Sequence, residues 1–121
     1  MYNVQSQETK TYDPGERTLK FALNVRSYVE GLPQNMTNLE YGEQLIRASG
    51  SSGANYIEEE EALSRKDFVV RIKISRKESK ESRYWLELTE PEEEQMIKKQ
   101  KLSREVMELT KIFGSIIEKS K

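Results

Sequence analysis

The positions of the prolines constrain the fold of this sequence more than any other feature. The chain of 121 residues holds three of them, Pro14, Pro33 and Pro91, and each stands beside a helix-start or helix-stop signal. Proline has no amide donor and clashes with the preceding turn, so it is tolerated at the first helical position and ends a helix elsewhere. The stretches between the prolines are therefore free to form long helices.

The first helix is predicted to begin after Asp13, whose carboxylate can cap the first amides, and to stop at Gly31 and Pro33. Its apolar residues form two edges: Leu19, Ala22 and Val29 on one, and Phe21, Val25, Tyr28 and Leu32 on the other. A bundle helix in a monomer needs only one such stripe. We expect the spare edge to face a partner, unless the N-terminal segment folds back over it.

The second segment contains the unusual stretch RASGSSGANYIEEEE, residues 47–61. Glycine inside a helix costs about 1 kcal/mol relative to alanine, so a loop near Gly50 is the alternative to a helix. A regular apolar and small-residue spacing runs through the stretch, at Leu39, Gly42, Ile46, Ser49, Gly53 and Tyr56. This spacing favours a continuous helix whose small residues let a neighbouring helix approach closely.

Two further helices follow the same logic. Ser64 and Asp67 form the acidic version of a capping box in front of Phe68, and Pro91 with the acidic residues after it suits the first turn of a last helix. The seam of that last helix is predicted at Leu102, Val106, Leu109, Phe113 and Ile116. Short connections force neighbouring helices to be antiparallel. The sequence thus predicts an all-α, up-down-up-down four-helix bundle forming one domain over residues 1–121, with residues 1–12 as an extended or poorly ordered segment.

The residue types that are missing exclude several kinds of chemistry. The chain has no cysteine and no histidine, which removes disulfides, thiolate nucleophiles and the commonest general base and transition-metal ligand. Di-metal bundles of the carboxylate type need Glu-x-x-His pairs, and the glycine-rich stretch lacks the lysine of a phosphate-binding loop. We therefore expect no enzymatic activity, no metal and no cofactor.

Membrane association is not expected either. No stretch approaches the roughly 20 apolar residues of a membrane span, and the N-terminal MYNVQSQETKTYD has no basic region followed by an apolar run. The sequence predicts a soluble, cytoplasmic protein.

Polar residues on otherwise inward faces of the second and third helices predict an interhelical hydrogen-bonded network. Its members are Arg47, Asn55, Glu58, Glu78 and Glu81. A buried carboxylate without such partners would be costly. We interpret the network as specifying the fold rather than binding a ligand.

Basic residues concentrate in the third predicted helix. Residues 65–83 hold eight basic and three acidic side chains, a net charge of +5 in a chain of net charge −1. The candidate phosphate contacts are Lys66, Arg71, Lys73, Arg76, Lys77, Lys80 and Arg83, with a second patch at Lys98, Lys99, Lys101 and Arg104. The alternative is that these charges form a solvated face that balances nearby glutamates, and the sequence pI of about 5.7 is low for a nucleic-acid-binding domain.

Two signatures, ASGSSGANYIEE at 48–59 and KDF at 66–68 with KESKESRYWLEL at 77–88, carry a family resemblance. The chain resembles the four-helix bundle proteins encoded by intervening sequences in bacterial 23S ribosomal RNA genes, also called the S-twenty-three ribosomal protein family, over about residues 12–120. The resemblance implies a homopentameric ring and a relation to the accessory variability determinants of diversity-generating retroelements, which bind nucleic acid and a reverse transcriptase. Ser52 departs from the family pattern, in which a branched apolar residue is common.

Two functions follow. In the first, the protein is a homo-oligomeric helical scaffold that binds structured RNA or DNA, or a nucleic-acid enzyme, through the basic patches. In the second, it is a protein–protein assembly module with no nucleic-acid role. Their response to salt distinguishes them, because phosphate binding weakens steeply as salt rises and apolar docking does not.

Overall fold

The structure, a computed structural model, describes residues 13–58 and 62–121. Its helices are α1 (Pro14–Glu30), α2 (Met36–Glu58), α3 (Arg65–Leu88) and α4 (Met96–Lys119), with a 3-10 turn at Glu93–Gln95 before the last. Each helix packs on the next, and α4 returns against α1. The predicted all-α four-helix bundle is confirmed, while the predicted N-terminal segment at 1–12 lies outside the described residues.

The helix starts depend on local capping, as predicted. The Asp13 carboxylate accepts a hydrogen bond from the Gly15 amide at 3.0 Å, and the Ser64 hydroxyl accepts one from the Asp67 amide at 3.1 Å. The Asp67 carboxylate reaches back to the amide of Leu63 at 3.3 Å, one residue earlier than a capping box requires. The bonds to Gly15 and Asp67 satisfy amides that the first turn of a helix leaves without partners, and the bond to Leu63 fixes the residue before the cap.

The core lies along the bundle axis and draws on all four helices. One of the two predicted edges of α1, the one containing Phe21, Val25 and Tyr28, is buried, and Leu19 on the other edge is 62% exposed. The buried apolar side chains are Phe21, Val25, Tyr28, Leu32, Leu45, Ile72, Leu86, Leu102, Val106, Leu109, Phe113 and Ile117. The predicted seam of α4 is therefore confirmed except at its end, where Ile117 is buried and Ile116 only partly so.

Helix α2 runs without interruption through its glycines, so the predicted continuous helix is confirmed. An alanine methyl at Gly42 would stand 3.0 Å from Val29, and one at Gly53 would stand 2.9 Å from Thr18. These two glycines thus allow α1 to pack closely along α2.

The predicted seam of α2 is wrong at two positions. Leu39 and Ile46 are 68% and 45% exposed, whereas Asn38 and Leu45 are buried. Helix α2 packs between α1 and α3. Two of its glycines face α1, and its buried larger side chains are turned toward α3. Asn38 is buried because its amide donates to the carbonyl of Glu90 and accepts from the Glu90 amide, at 3.0 and 2.9 Å, which joins the start of α2 to the end of α3.

A set of buried serines joins α2 to α3. The hydroxyls of Ser52 and Ser79 are hydrogen-bonded at 2.8 Å, and Ser52 also donates to the carbonyl of Ser75 at 3.2 Å. Ser75 in turn donates to the carbonyl of Ser52 at 2.9 Å. A branched apolar side chain at position 52 would lose the two bonds made by the Ser52 hydroxyl and keep only the one to the backbone carbonyl, so the departure of Ser52 from the family pattern has a structural role here.

The last helix begins later than predicted, at Met96. The Gln95 amide donates to the carbonyl of Glu92 at 2.9 Å, the bond of a 3-10 turn. The Gln95 side chain is buried and donates to the carbonyl of Tyr28 at 3.3 Å, which holds the chain against the end of α1. Beside it, the Tyr28 hydroxyl bonds Thr89 at 2.8 Å, and burial raises the pKa of this phenol above its ordinary value.

Candidate nucleic-acid interface

Four of the predicted basic residues line one groove between α3 and α4. The groove has a volume of about 610 Å³ and is open to solvent. We call it the α3–α4 groove; its lining residues are Lys73, Arg76, Lys77, Lys80, Glu81, Ile117, Glu118 and Lys121. Five lining side chains are cationic and two are anionic, so the groove is an electropositive cavity.

Helical spacing explains why these residues meet. On α3, Lys73, Lys77 and Lys80 recur at steps of four and three, which places them on one stripe. At the end of α4, Ile117 borders the groove although it is only 4% exposed, and Lys121 lies just beyond the helix, which ends at Lys119. Arg76 packs over α4 at Gly114, where a methyl group would stand 3.6 Å from its guanidinium, an ordinary van der Waals contact.

The cations of the groove differ in their partners. Lys77 pairs with Glu81 at 3.9 Å and Lys121 pairs with Glu118 at 3.0 Å. Within the described part of the chain, Lys73, Arg76 and Lys80 form no ion pair. Three positive charges thus converge on one cavity whose two carboxylates, Glu81 and Glu118, pair with other cations.

The other predicted basic residues do not join this groove. Arg71 lies on the side of α3 that faces α2, where its guanidinium donates to Asn55 at 3.1 Å. Lys99 donates to the carbonyls of Glu87 and Thr89 at 3.3 and 2.9 Å and so caps the end of α3. The remainder are exposed outside the groove: Lys66, Arg83, Lys98, Lys101 and Arg104. The groove therefore contains four members of the first predicted patch and none of the second.

The predicted polar network separates into smaller groups. Arg47 lies 3.7 Å from both Glu78 and Glu81, and Glu78 is buried with one carboxylate oxygen that accepts no hydrogen bond. Asn55 contacts Arg71 instead, and also donates to the carbonyl of Ser51 at 2.9 Å. Glu58 is exposed at the last position of α2. The structure thus brings three of the five predicted members together.

Sequence reasoning missed the contribution of α4 to the groove. Ile117, Glu118 and Lys121 were not predicted there, because the alignment of the end of the last helix with α3 is not visible in the sequence. It also missed Tyr84, which is 60% exposed and follows Lys80 by one turn. The available signal was an aromatic residue continuing a basic stripe.

A second surface feature is apolar and borders the contact between α1 and α2. On α1, Leu19 shares a stripe with Val29, which packs on Gly42. We call this the α1–α2 apolar face; its members are Leu19, Leu23, Leu39, Ile46 and Ile57, with exposed fractions of 62, 46, 68, 45 and 61%. The three members on α2 share a stripe with the glycines that contact α1.

Neither a metal-binding cluster nor a membrane-spanning helix is found in residues 13–58 and 62–121. No group of three or more acidic side chains there is arranged to hold a metal ion. None of the four helices is long and apolar enough to cross a membrane.

Similarity to known proteins is found at the level of family and fold. Residues 12–118 match the model of a family described as 23S rRNA-intervening sequence protein. A crystal structure of a protein with unknown function from the S23 ribosomal protein family of Bacteroides thetaiotaomicron VPI-5482 is similar, with 28% sequence identity and a TM-score of 0.73 over 87% of this chain and 98% of that one. No curated protein matches this sequence. Since the family model covers most of its length, the chain belongs to the 23S rRNA-intervening sequence protein family.

Proposed function

We propose that this protein is a non-enzymatic, self-associating helical bundle that binds nucleic acid through the α3–α4 groove. The observation that carries the proposal is the convergence of Lys73, Arg76 and Lys80 on one cavity without an ion pair among the described residues. Lysine and arginine bind phosphate oxygens independently of base sequence and thereby position a protein on its nucleic acid.

The acidic pI of the whole chain does not oppose this function. Charges farther apart than about 8–10 Å are largely screened at physiological ionic strength. A bound phosphate therefore responds to the charges near the groove, and residues 65–83 carry a net +5 while the whole chain carries −1. The positive charge near the groove, rather than the net charge of the whole chain, therefore governs phosphate binding.

Self-association is supported by the α1–α2 apolar face. Soluble monomers rarely expose large apolar patches, and this face leaves five large aliphatic side chains of α1 and α2 between 45 and 68% exposed. A homopentamer, as the family resemblance implies, would repeat the groove around a ring and add weak phosphate contacts through multivalency. The relation to the accessory variability determinants, and with it a nucleic-acid enzyme as partner, stays a prediction.

The second candidate function is a protein–protein assembly module with no nucleic-acid role. The same apolar face favours it, since that face can dock a partner without any help from the groove. In this function the cations of α3 only form a solvent-exposed face of the helix.

Fluorescence anisotropy over a salt series separates the two functions. We expect an RNA hairpin with an open loop to bind the protein, and three neutralised phosphates to give a slope of log K against log salt of roughly −2 to −3. The test variant reverses Lys73, Arg76 and Lys80 to glutamate. Its charge-matched control reverses Lys98, Lys101 and Arg104, which lie outside the groove.

Loss of binding in the groove variant alone supports the proposal. Equal loss in both variants would reduce the effect to overall charge. Flat titrations from protein whose oligomeric mass is established by light scattering would overturn nucleic-acid binding and leave the assembly module.

A further inference from the structure

Tyr84 extends the basic stripe of α3 with an exposed aromatic ring. It follows Lys80 by four residues and Lys77 by seven, so the three side chains share one face of the helix. Tyr84 is 60% exposed. The groove and this ring are therefore neighbouring parts of one surface.

The ring is held in position although it is not buried. Its centroid lies 5.1 Å from that of Trp85, with the planes at 74°, and Trp85 stacks on Tyr41 at 6.0 Å. An edge-to-face contact of this kind restricts the ring while leaving most of its surface in solvent. A ring that is restrained and exposed is a suitable surface for stacking.

We propose that the α3–α4 groove and Tyr84 together bind an unpaired strand of nucleic acid. This inference rests on the proposed function and names the form of nucleic acid that the site prefers. Phosphates of the strand pair with Lys73, Arg76 and Lys80, and a base stacks on Tyr84. Proteins that bind single strands combine a positively charged groove that follows the backbone with aromatic rings that receive bases.

The choice of a single strand over a duplex follows from the ring. Inside a duplex each base is already stacked on its neighbours and offers no face to a protein side chain, whereas the bases of loops and unpaired ends can turn outward. A duplex can use only the cations of the groove.

The test compares a labelled mixed-sequence single strand with the blunt duplex of the same sequence, by anisotropy at fixed salt. We expect the single strand to bind more tightly. Tyr84→Ala should weaken its binding roughly tenfold, the range expected for losing one stacked base, and should leave duplex binding unchanged. Tyr84→Phe keeps the stacking ring and should bind like the parent protein.

Two additional readouts keep the test independent of folding. Tyr84→Leu retains an apolar cover over Trp85 but removes the aromatic face, so it should show the same loss as Tyr84→Ala. Trp85 is the only tryptophan of the chain, and its fluorescence should change on binding the single strand and change less on binding the duplex.

The failures of the two proposals are distinguishable. If the reversal of Lys73, Arg76 and Lys80 abolishes binding while Tyr84→Ala and Tyr84→Leu bind both probes like the parent, the single-strand inference is overturned and the proposed function stands. If reversing the groove charges changes nothing, both are overturned.

Discussion

Alanine substitutions at Gly50 and Gly53 separate helix propensity from helix packing in α2. Both glycines lie inside the same continuous helix, so alanine contributes about 1 kcal/mol of helix propensity at either position. A methyl group at position 50 meets no atom within 4 Å. At position 53 it stands 2.9 Å from the Thr18 hydroxyl and 3.1 Å from the Thr18 Cβ, so α1 and α2 would have to move apart.

The cost at position 53 follows from what holds Thr18. Its β-branched side chain is buried, and its hydroxyl donates to the carbonyls of Pro14 and Gly15 at 2.8 and 3.0 Å. Rotation away from the new methyl group would break these bonds. Overpacking of this kind costs about 1–3 kcal/mol, which offsets or exceeds the propensity gain. We expect Gly50→Ala to stabilise the fold by up to about 1 kcal/mol and Gly53→Ala to be about 1–3 kcal/mol less stable than Gly50→Ala.

Urea denaturation followed by far-UV circular dichroism measures this difference. Two protein concentrations are needed, because assembly changes apparent stability by mass action. In a chain of this size each 1 kcal/mol also shifts the melting temperature by about 3–5 °C. If Gly53→Ala proves as stable as Gly50→Ala, the close approach of α1 and α2 at this position is refuted.

Two further predictions concern buried hydroxyl groups. Ser52→Ala leaves the Ser79 hydroxyl without its 2.8 Å partner and should lower the free energy of unfolding by about 1–3 kcal/mol. The control Ser82→Ala should cost less, because the Ser82 hydroxyl bonds only a carbonyl of its own helix. Equal urea midpoints for the two variants would contradict this prediction. Burial raises the pKa of Tyr28, so this phenol ionises at lower pH in the unfolded chain than in the folded one. Its contribution to the free energy of unfolding is therefore fully present below about pH 10 and is lost as pH rises through the native pKa. Tyr28→Phe should remove that part of the decline in urea titrations between neutral and alkaline pH, and an identical decline would show that Tyr28 is not its source.

Helix boundaries were largely predictable because their signals are local. Asp13 and Ser64 cap the residues that directly follow them, and a cap needs no knowledge of the rest of the fold. The start of α4 was not predictable in this way. Its position depends on Gln95, whose side chain bonds the carbonyl of Tyr28 at 3.3 Å, far away in sequence.

The faces of the helices were predicted less well. Periodicity showed that α2 is amphipathic, but Leu39 and Ile46 were placed inward because a stripe alone does not tell which side meets a neighbour. The small residues Gly42 and Gly53 were placed correctly, since only a close helix explains two glycines on one stripe. Rotation of a helix about its axis is a tertiary property.

The α3 side of the candidate site was predictable from the sequence, and the α4 side was not. The spacing of Lys73, Lys77 and Lys80 placed them on one stripe of α3, as the structure has them. Their position in the same groove as Lys121 depends on the antiparallel alignment of α3 and α4. Arg71 was grouped with them by charge alone, although its bond to Asn55 uses the opposite side of the helix.

The separation of charge along the chain also has a kinetic consequence. A segment of net +5 on α3 within a chain of net −1 distributes charge unevenly and gives the protein an electric dipole. Near a polyanion such a dipole experiences a torque as well as an attraction, so the basic side of α3 turns toward the ligand before contact. Orientation during approach raises the rate of productive encounter, and added salt lowers it. For the proposed nucleic-acid ligand this orientation belongs to low salt, where the charges of the whole molecule are not screened.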